Sequence, residues 1–227
     1  VTLPLASLAQ RNTIRLVSSA RLKPPVLLTL AANHGALRDL EELEGVTSGR
    51  LQTQQRGLPD LYPAELVYGR PNHTFINAAF SYARPGGSRF NDETRGAWYC
   101  GFEAQTSLAE VSYHLTRELR NIRRFENVTD YIEMLADFIG DFHDARAAGG
   151  APFLHPDAAV GYPAGQALAR ELRALASPGL IYPSVRKAGG TCLVAFVPGV
   201  VQNVRPGDLW RLQWQGKPEP AITKNPK

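Results

Sequence analysis

Between residues 98 and 120 the apolar pattern changes period once, from an unbroken run to a helical stripe, and this limits the fold more than any other stretch. Residues 98–102, Trp-Tyr-Cys-Gly-Phe, are apolar and aromatic enough for a buried strand. In residues 107–120, Leu108, Val111, Leu115 and Leu119 form one stripe, with Glu110, His114 and Arg117 on roughly the opposite face. The carboxylate of Glu110 therefore points away from the helix's own core.

The rest of the chain mixes strands and helices without regular alternation. Residues 12–18 alternate apolar and polar, as a half-buried strand does, and Pro24-Pro25 then stops regular structure. Leu37, Leu40 and Leu43 predict a short helix over residues 36–43 ended by Gly45, and residues 50–64 read as a long loop. An apolar run over 75–83 leads into Arg84-Pro85-Gly86-Gly87-Ser88, a turn cluster that exposes backbone amides. Residues 125–135 predict a strand leading into a helix near 133–147. Gly149 to Pro152 breaks the chain before a helix over 164–174 with Leu168 and Leu172 inward. Short strands follow at 179–182, 191–198 and 209–214. With no repeat, heptad or βαβ alternation, the expected class is α+β, a mostly antiparallel sheet with flanking helices.

At 227 residues, 44% hydrophobic and 20% charged, the chain is long and apolar enough for one domain with a real core. Its net charge of +4 and pI of about 9.2 suit an anionic ligand or an acidic partner. No basic stripe interleaves with aromatics, so direct nucleic-acid binding is not expected. Cys100 and Cys192 lie in apolar runs, where buried free thiols are found, which predicts a reducing cytoplasm; one disulfide stays open as an alternative. The opening residues lack a signal-peptide pattern, and no apolar run is long enough to cross a bilayer, so a soluble, cytoplasmic protein is expected.

Residues able to do chemistry gather in three stretches. Arg89 follows Gly86-Gly87-Ser88, and a guanidinium beside exposed amides can clamp a pyrophosphate; a turn arginine paired with a carboxylate is the competing reading. Ser107 and Glu110 satisfy the capping-box spacing, which predicts a helix starting at the serine, and a capped start is also a rigid place to hold a catalytic carboxylate. Tyr99 sits between Trp98 and Cys100, an ordinary position for strand core. Ser184 ends an apolar strand after Pro183 without the Gly-x-Ser-x-Gly elbow of a hydrolase nucleophile, leaving ligand hydrogen bonding or turn capping. Arg186 lies two residues on, and His114 is one helical turn after Glu110 and faces the same way. The remaining histidines lack metal-ligand spacing, and Asp137, Asp141, His143 and Asp144 are expected on a solvated helix. No Rossmann or P-loop glycine pattern occurs.

Taken in order, Gly87-Ser88-Arg89-Phe90-Asn91, Trp98-Tyr99-Cys100, Ser107-Leu108-Ala109-Glu110-Val111 and Ile181-Tyr182-Pro183-Ser184-Val185-Arg186 resemble the RES family, named for its Arg, Glu and Ser. The segments 14–21 with Pro24-Pro25 and 43–51 resemble the longer N-terminal region of one RES subgroup, and Gly-Ser-Arg-Phe stands where shorter members have Gly-Gly-Arg-Trp. The resemblance implies a single RES domain over residues 1–227, with 1–65 as an N-terminal elaboration. It also implies an ADP-ribosyltransferase-like fold with a split sheet, and a cleft that takes NAD as substrate without a metal. The implied role is that of a toxin blocked by an Xre-type antitoxin. Residue by residue, it makes Arg89, Glu110 and Ser184 the catalytic set. It makes Arg15 and Tyr99 ligand-binding residues, with Tyr99 stacking on nicotinamide; His114 and Arg186, by their positions beside Glu110 and Ser184, are the further ligand-binding candidates. Arg21, Arg50 and Arg70 compete with Arg15 as the second pyrophosphate arginine.

Cleaving the nicotinamide–ribose bond leaves an oxocarbenium-like cation, so such a site needs a nearby negative charge and a held leaving group. Water, phosphate or a protein side chain could accept the ADP-ribose. NAD depletion is the expectation, with mono-ADP-ribosylation of a protein as the alternative.

Overall fold

In the computed structural model of the protein, residues 2–19, 60–81 and 83–225 are described. Pro24-Pro25, the helix expected over 36–43 and most of the loop expected over 50–64 lie outside them. The described elements are β1 (Leu5–Ser18), α1 (His73–Ser81), β2 (Trp98–Gly101), α2 (Ala104–Asn121), β3 (Glu126–Asp144), α3 (Ala158–Ala174), β4 (Gly179–Pro183), β5 (Thr191–Ala195), β6 (Gln202–Gln215) and β7 (Ala221–Asn225).

β3 corrects the helix expected near 133–147: the chain stays extended through Asp144. The reason is legible in burial, since Met134, Ala136, Phe138 and Phe142 are buried while Ile139 is 65% exposed. That is a two-residue period. A helical reading had grouped residues that lie on opposite faces of a pleat. Asp137 and Asp141 therefore belong to a strand and not to a helix, and Asp137 is held by the Asn12 amide and Asn203 Nδ2.

Seven strands form one sheet in the order β1-β2-β5-β4-β3-β6-β7, with β1 also paired to β3. All pairings are antiparallel except β3 with β4. His143 of β3 pairs with both Leu5 of β1 and Leu180 of β4, while residues 131–137 lie between β1 and β6. β4 and β6 thus occupy successive parts of the same β3 edge, and the sheet splits there. The architecture is α+β, as expected.

Both faces of the central strands are buried. On one, Ile76 and Phe80 of α1 join Trp98, Phe138, Phe142 and Leu193. On the other, Leu168 and Leu172 of α3 join Leu180, Val194 and Phe196. Cys100 sits with the first group and Cys192 with the second, and both are buried free thiols, which closes the disulfide alternative. α3 begins six residues before the expected 164, because Asp157 accepts a hydrogen bond from Ala159 N at 2.9 Å and caps the helix. Pro163 is accommodated within the helix that follows. Among the described residues, no helix is long and apolar enough to cross a membrane.

Phe138→Ala is expected to destabilise the fold by about 3–5 kcal/mol through an unfilled cavity. Ile139→Ala, one residue on and facing out, is expected to change it by about 0.5 kcal/mol or less. Urea unfolding of the two variants checks the alternation; equal losses would contradict a strand here.

Candidate active site

β2 ends at Gly101, and α2 begins at Ala104 directly above the place where β1 and β2 part. A cavity of about 340 Å3 opens there. Its walls are β1 from Ile14 to Ser18, one face of α2, the turn at Gly87–Arg89, Tyr162 of α3 and the segment after β4. Arg15, Arg89, Tyr99, Glu110, His114 and Arg186 all line it. Ser184 is not among the lining residues; it lies behind Glu110.

Ser184 Oγ donates to Glu110 Oε1 at 2.6 Å. The same oxygen accepts the amides of Arg186 and Lys187, each at 3.1 Å. With two backbone donors on its oxygen, the hydroxyl has one proton left, and it points at the carboxylate. Burial pushes the Glu110 carboxyl up from its ordinary value, while the Ser184 hydrogen bond and the charges of Arg186 and Arg89 draw it back.

The expected capping box is corrected. α2 starts at Ala104 with Glu103 as its N-cap, so Ser107 lies inside the first turns. Its hydroxyl donates instead to Ile14 O at 2.7 Å and accepts Gly101 N at 3.1 Å, filling the gap where β1 and β2 separate. Glu110 is thereby free of the backbone and turned towards Ser184.

Arg89 is buried, 7% exposed, and its Nη1 donates to the carbonyls of Phe153 at 2.8 Å and His155 at 2.9 Å. Among the described residues no ion pair includes it, so the reading as a turn arginine bound to a carboxylate does not hold. The guanidinium lies 5.7 Å from the Tyr162 ring centroid. It fits because α3 has glycine at both 161 and 165, one helical turn apart: a side chain at Gly161 would collide with Arg89 Nη1 and His155 O, and one at Gly165 with Arg89 O. This notch was missed in the sequence, where only the Gly-x-x-x-Gly spacing at 161–165 signals it.

Tyr99 lines the cavity, and its hydroxyl is fully used. It accepts Phe90 N at 2.9 Å and donates to Asn91 Oδ1 at 2.9 Å. Burial raises the phenol well above its ordinary value. The residue pins the turn that carries Arg89. Gly87 at φ +70 is part of that turn, where a side chain would strike Asn91 O.

Arg186 stacks 3.3 Å from the Tyr113 ring centroid and donates through Nη2 to Pro156 O. Arg15 reaches Tyr99 O at 3.4 Å and lies 5.0 Å from the Trp98 ring centroid. Of its competitors, Arg70 contacts Gly199 O and does not line the cavity, and Arg21 and Arg50 lie outside the described residues. His114 is held down to about 4 by burial and by Arg117, Arg84, Arg186 and Arg89, so it is neutral near pH 7. Arginines 15, 84, 89, 117 and 186 line the cavity against Glu110 and Glu118, and Glu118 is already paired with Arg84 at 2.9 Å. The cavity is thus a positive well with one carboxylate set inside it, suited to an anion that also presents a cationic centre. Among the described residues, no group of His, Cys, Asp and Glu could hold a metal ion.

A family model described as RES domain matches residues 66–215. None of the curated proteins matches the chain. A solved structure, the MbcT–MbcA toxin–antitoxin complex of M. tuberculosis, aligns at 20% identity with a TM-score of 0.40, over 56% of this chain and 72% of that chain.

Gly161→Ala is expected to cost about 1–3 kcal/mol of stability, because a methyl group would drive Arg89 from its notch. Gly149→Ala, where nothing lies within 4 Å, is expected to change little. Thermal unfolding of the pair checks this; a harmless Gly161→Ala would show that the notch does not hold the guanidinium.

Proposed function

The chain belongs to the RES family, and from that premise we propose that it binds NAD in this cavity and cleaves the bond between nicotinamide and ribose. The observation that carries the reading is the placement of Glu110, held by Ser184 in a cavity lined by Arg15, Arg89 and Arg186. NAD matches that pattern of charge. Its two phosphates are anionic and its nicotinamide ring is cationic; as the bond breaks, the electron pair leaves with nicotinamide, which becomes neutral, and positive charge develops on an oxocarbenium-like ribose.

In this reading Arg89 and Arg15 take the pyrophosphate. The Tyr99 ring stacks on nicotinamide while its hydroxyl fixes the Arg89 turn. Glu110 faces the nicotinamide ribose, where its negative charge stabilises the developing cation. Placing the pyridinium beside it favours the ionised carboxylate, against the cost of burial. Ser184 holds one carboxylate oxygen, leaving Oε2 for the substrate. His114, neutral at physiological pH, offers a hydrogen bond without adding charge. Arg186 borders the same end of the cavity and lowers the cost of an ionised Glu110. Water or phosphate as the acceptor makes the protein an NAD-depleting toxin. The RES resemblance adds an Xre-type antitoxin that occludes the cavity as its partner.

The test is release of nicotinamide from NAD by the purified protein, with and without phosphate. Glu110→Gln is expected to lower kcat on the order of a hundredfold or more. Activity should require the ionised carboxylate, so kcat/KM should fall as pH is lowered, with a midpoint above the usual glutamate range. Ser184→Ala removes a hydrogen bond that lowers the Glu110 pKa, so that midpoint should move up further. A profile unaffected by Ser184→Ala would contradict the role given to the pair.

A further inference from the structure

Positive charge lines this cavity in two places. Arg89 and Arg186 act on Glu110, and Arg15 reaches Tyr99 O. Further along α2 stands Arg117, about 10 Å of helix beyond Glu110, with Arg84 and Glu118 at the same end. Arg84 and Glu118 are paired with each other, so that carboxylate is taken. Among the described residues the Arg117 guanidinium has neither an ion pair nor a hydrogen bond. Its charge is felt inside the cavity, since burial and then Arg117 hold the His114 imidazole down to about 4.

An arginine late in a helix is ordinarily explained by the carbonyl end of the helix dipole. Arg120 fits that account: it is exposed, it lies in the last turn of α2, and it does not line the cavity. Arg117 is half-buried one turn earlier, at the spacing that also brings Glu110 and His114 to the cavity. The NAD reading leaves it unmatched. Arg89 and Arg15 answer the pyrophosphate, Glu110 answers the pyridinium, and the adenine and both riboses are neutral. A further phosphoryl group on the far ribose adds about −1.5 to −2 of charge near pH 7, with oxygens that a guanidinium fork holds in pairs.

We propose that Arg117 is the reader of a third phosphate, and that this cavity takes NADP, which carries that group at the 2′ position of its adenosine ribose, as well as NAD. The inference rests on the NAD reading above and adds a second member to its substrate class. An exposed ion pair is worth little, so Arg84 can exchange Glu118 for a phosphate oxygen and give the group a second guanidinium. The bond that breaks is on the other ribose and is unchanged: nicotinamide leaves with the electron pair, and water, losing a proton, completes 2′-phospho-ADP-ribose.

Calorimetry on the full chain tests the phosphate site apart from cleavage, with 5′-AMP, 2′,5′-ADP and inorganic phosphate as the probes. 2′,5′-ADP is expected to bind at least about tenfold tighter than AMP, the gain of a charged hydrogen-bonded contact. Arg117→Gln is expected to bring that ratio to within about twofold of one, whereas Arg120→Gln, which removes the same charge from the exposed last turn, keeps it. Equal affinities of the two nucleotides for the wild-type chain would overturn the inference, and so would a preference that Arg120→Gln removes as completely as Arg117→Gln. Arg117-dependent binding of inorganic phosphate alongside AMP, with no gain for 2′,5′-ADP, would assign the site to free phosphate and overturn it as well. Failure of both dinucleotides to release nicotinamide, with 2′,5′-ADP still preferred, would sink the cleavage reading and leave the phosphate site standing.

Discussion

The hydrogen bond from Ser184 to Glu110 joins elements 74 residues apart and sets the chemistry of the whole cavity. Its direction is fixed by the turn after β4, whose Arg186 and Lys187 amides occupy the serine oxygen and leave its proton one acceptor. The strand end therefore decides which carboxylate oxygen is taken up by Ser184 and which is left. Burial at that depth pushes a carboxyl towards its protonated form. Ser184, Arg186 and Arg89 all act against that tendency.

Arg89 is the counterpart on the other wall. A buried guanidinium costs a great deal of solvation unless its donors are satisfied. Two carbonyls before α3 accept from Nη1, and the glycines of α3 leave room for the side chain to reach them. Nη1 is thus met by neutral carbonyls, and among the described residues no carboxylate is in ion-pair contact with Arg89. Burial, together with the field of Arg117, Arg84, Arg186 and Arg89, keeps His114 neutral. Hydrogen bonding to neutral groups leaves the Arg89 charge as part of the positive lining of the cavity.

Much of this was legible in the sequence, and the failures have physical causes. The α2 stripe placed Glu110 and His114 on one face, and both line the cavity. The strands expected at 98–102, 179–182 and 191–198 appear as Trp98–Gly101, Gly179–Pro183 and Thr191–Ala195, while those expected at 12–18 and 209–214 are parts of longer strands, Leu5–Ser18 and Gln202–Gln215. The error at 133–147 arose because Met134, Leu135, Phe138, Ile139 and Phe142 satisfy a helical spacing as well as a strand one, and only the sheet decides between them. Ser107 mimicked a helix cap because its spacing to Glu110 is right; its hydroxyl was needed instead to bridge β1 and Gly101. The notch at Gly161 and Gly165 was beyond reach, since its meaning depends on an arginine more than seventy positions earlier in the chain. β7 was missed too: Ala221 to Asn225 is short, and among the described residues it pairs with β6 alone.

The central claim is that Arg89 and Glu110 act on one dinucleotide. A crystal structure of Glu110→Gln soaked with NAD tests it most directly, because the variant should hold the substrate uncleaved. The account predicts the pyrophosphate against Arg89 and the nicotinamide ribose beside residue 110. NAD bound elsewhere on the molecule, or a cavity that stays empty at saturating NAD, would contradict it.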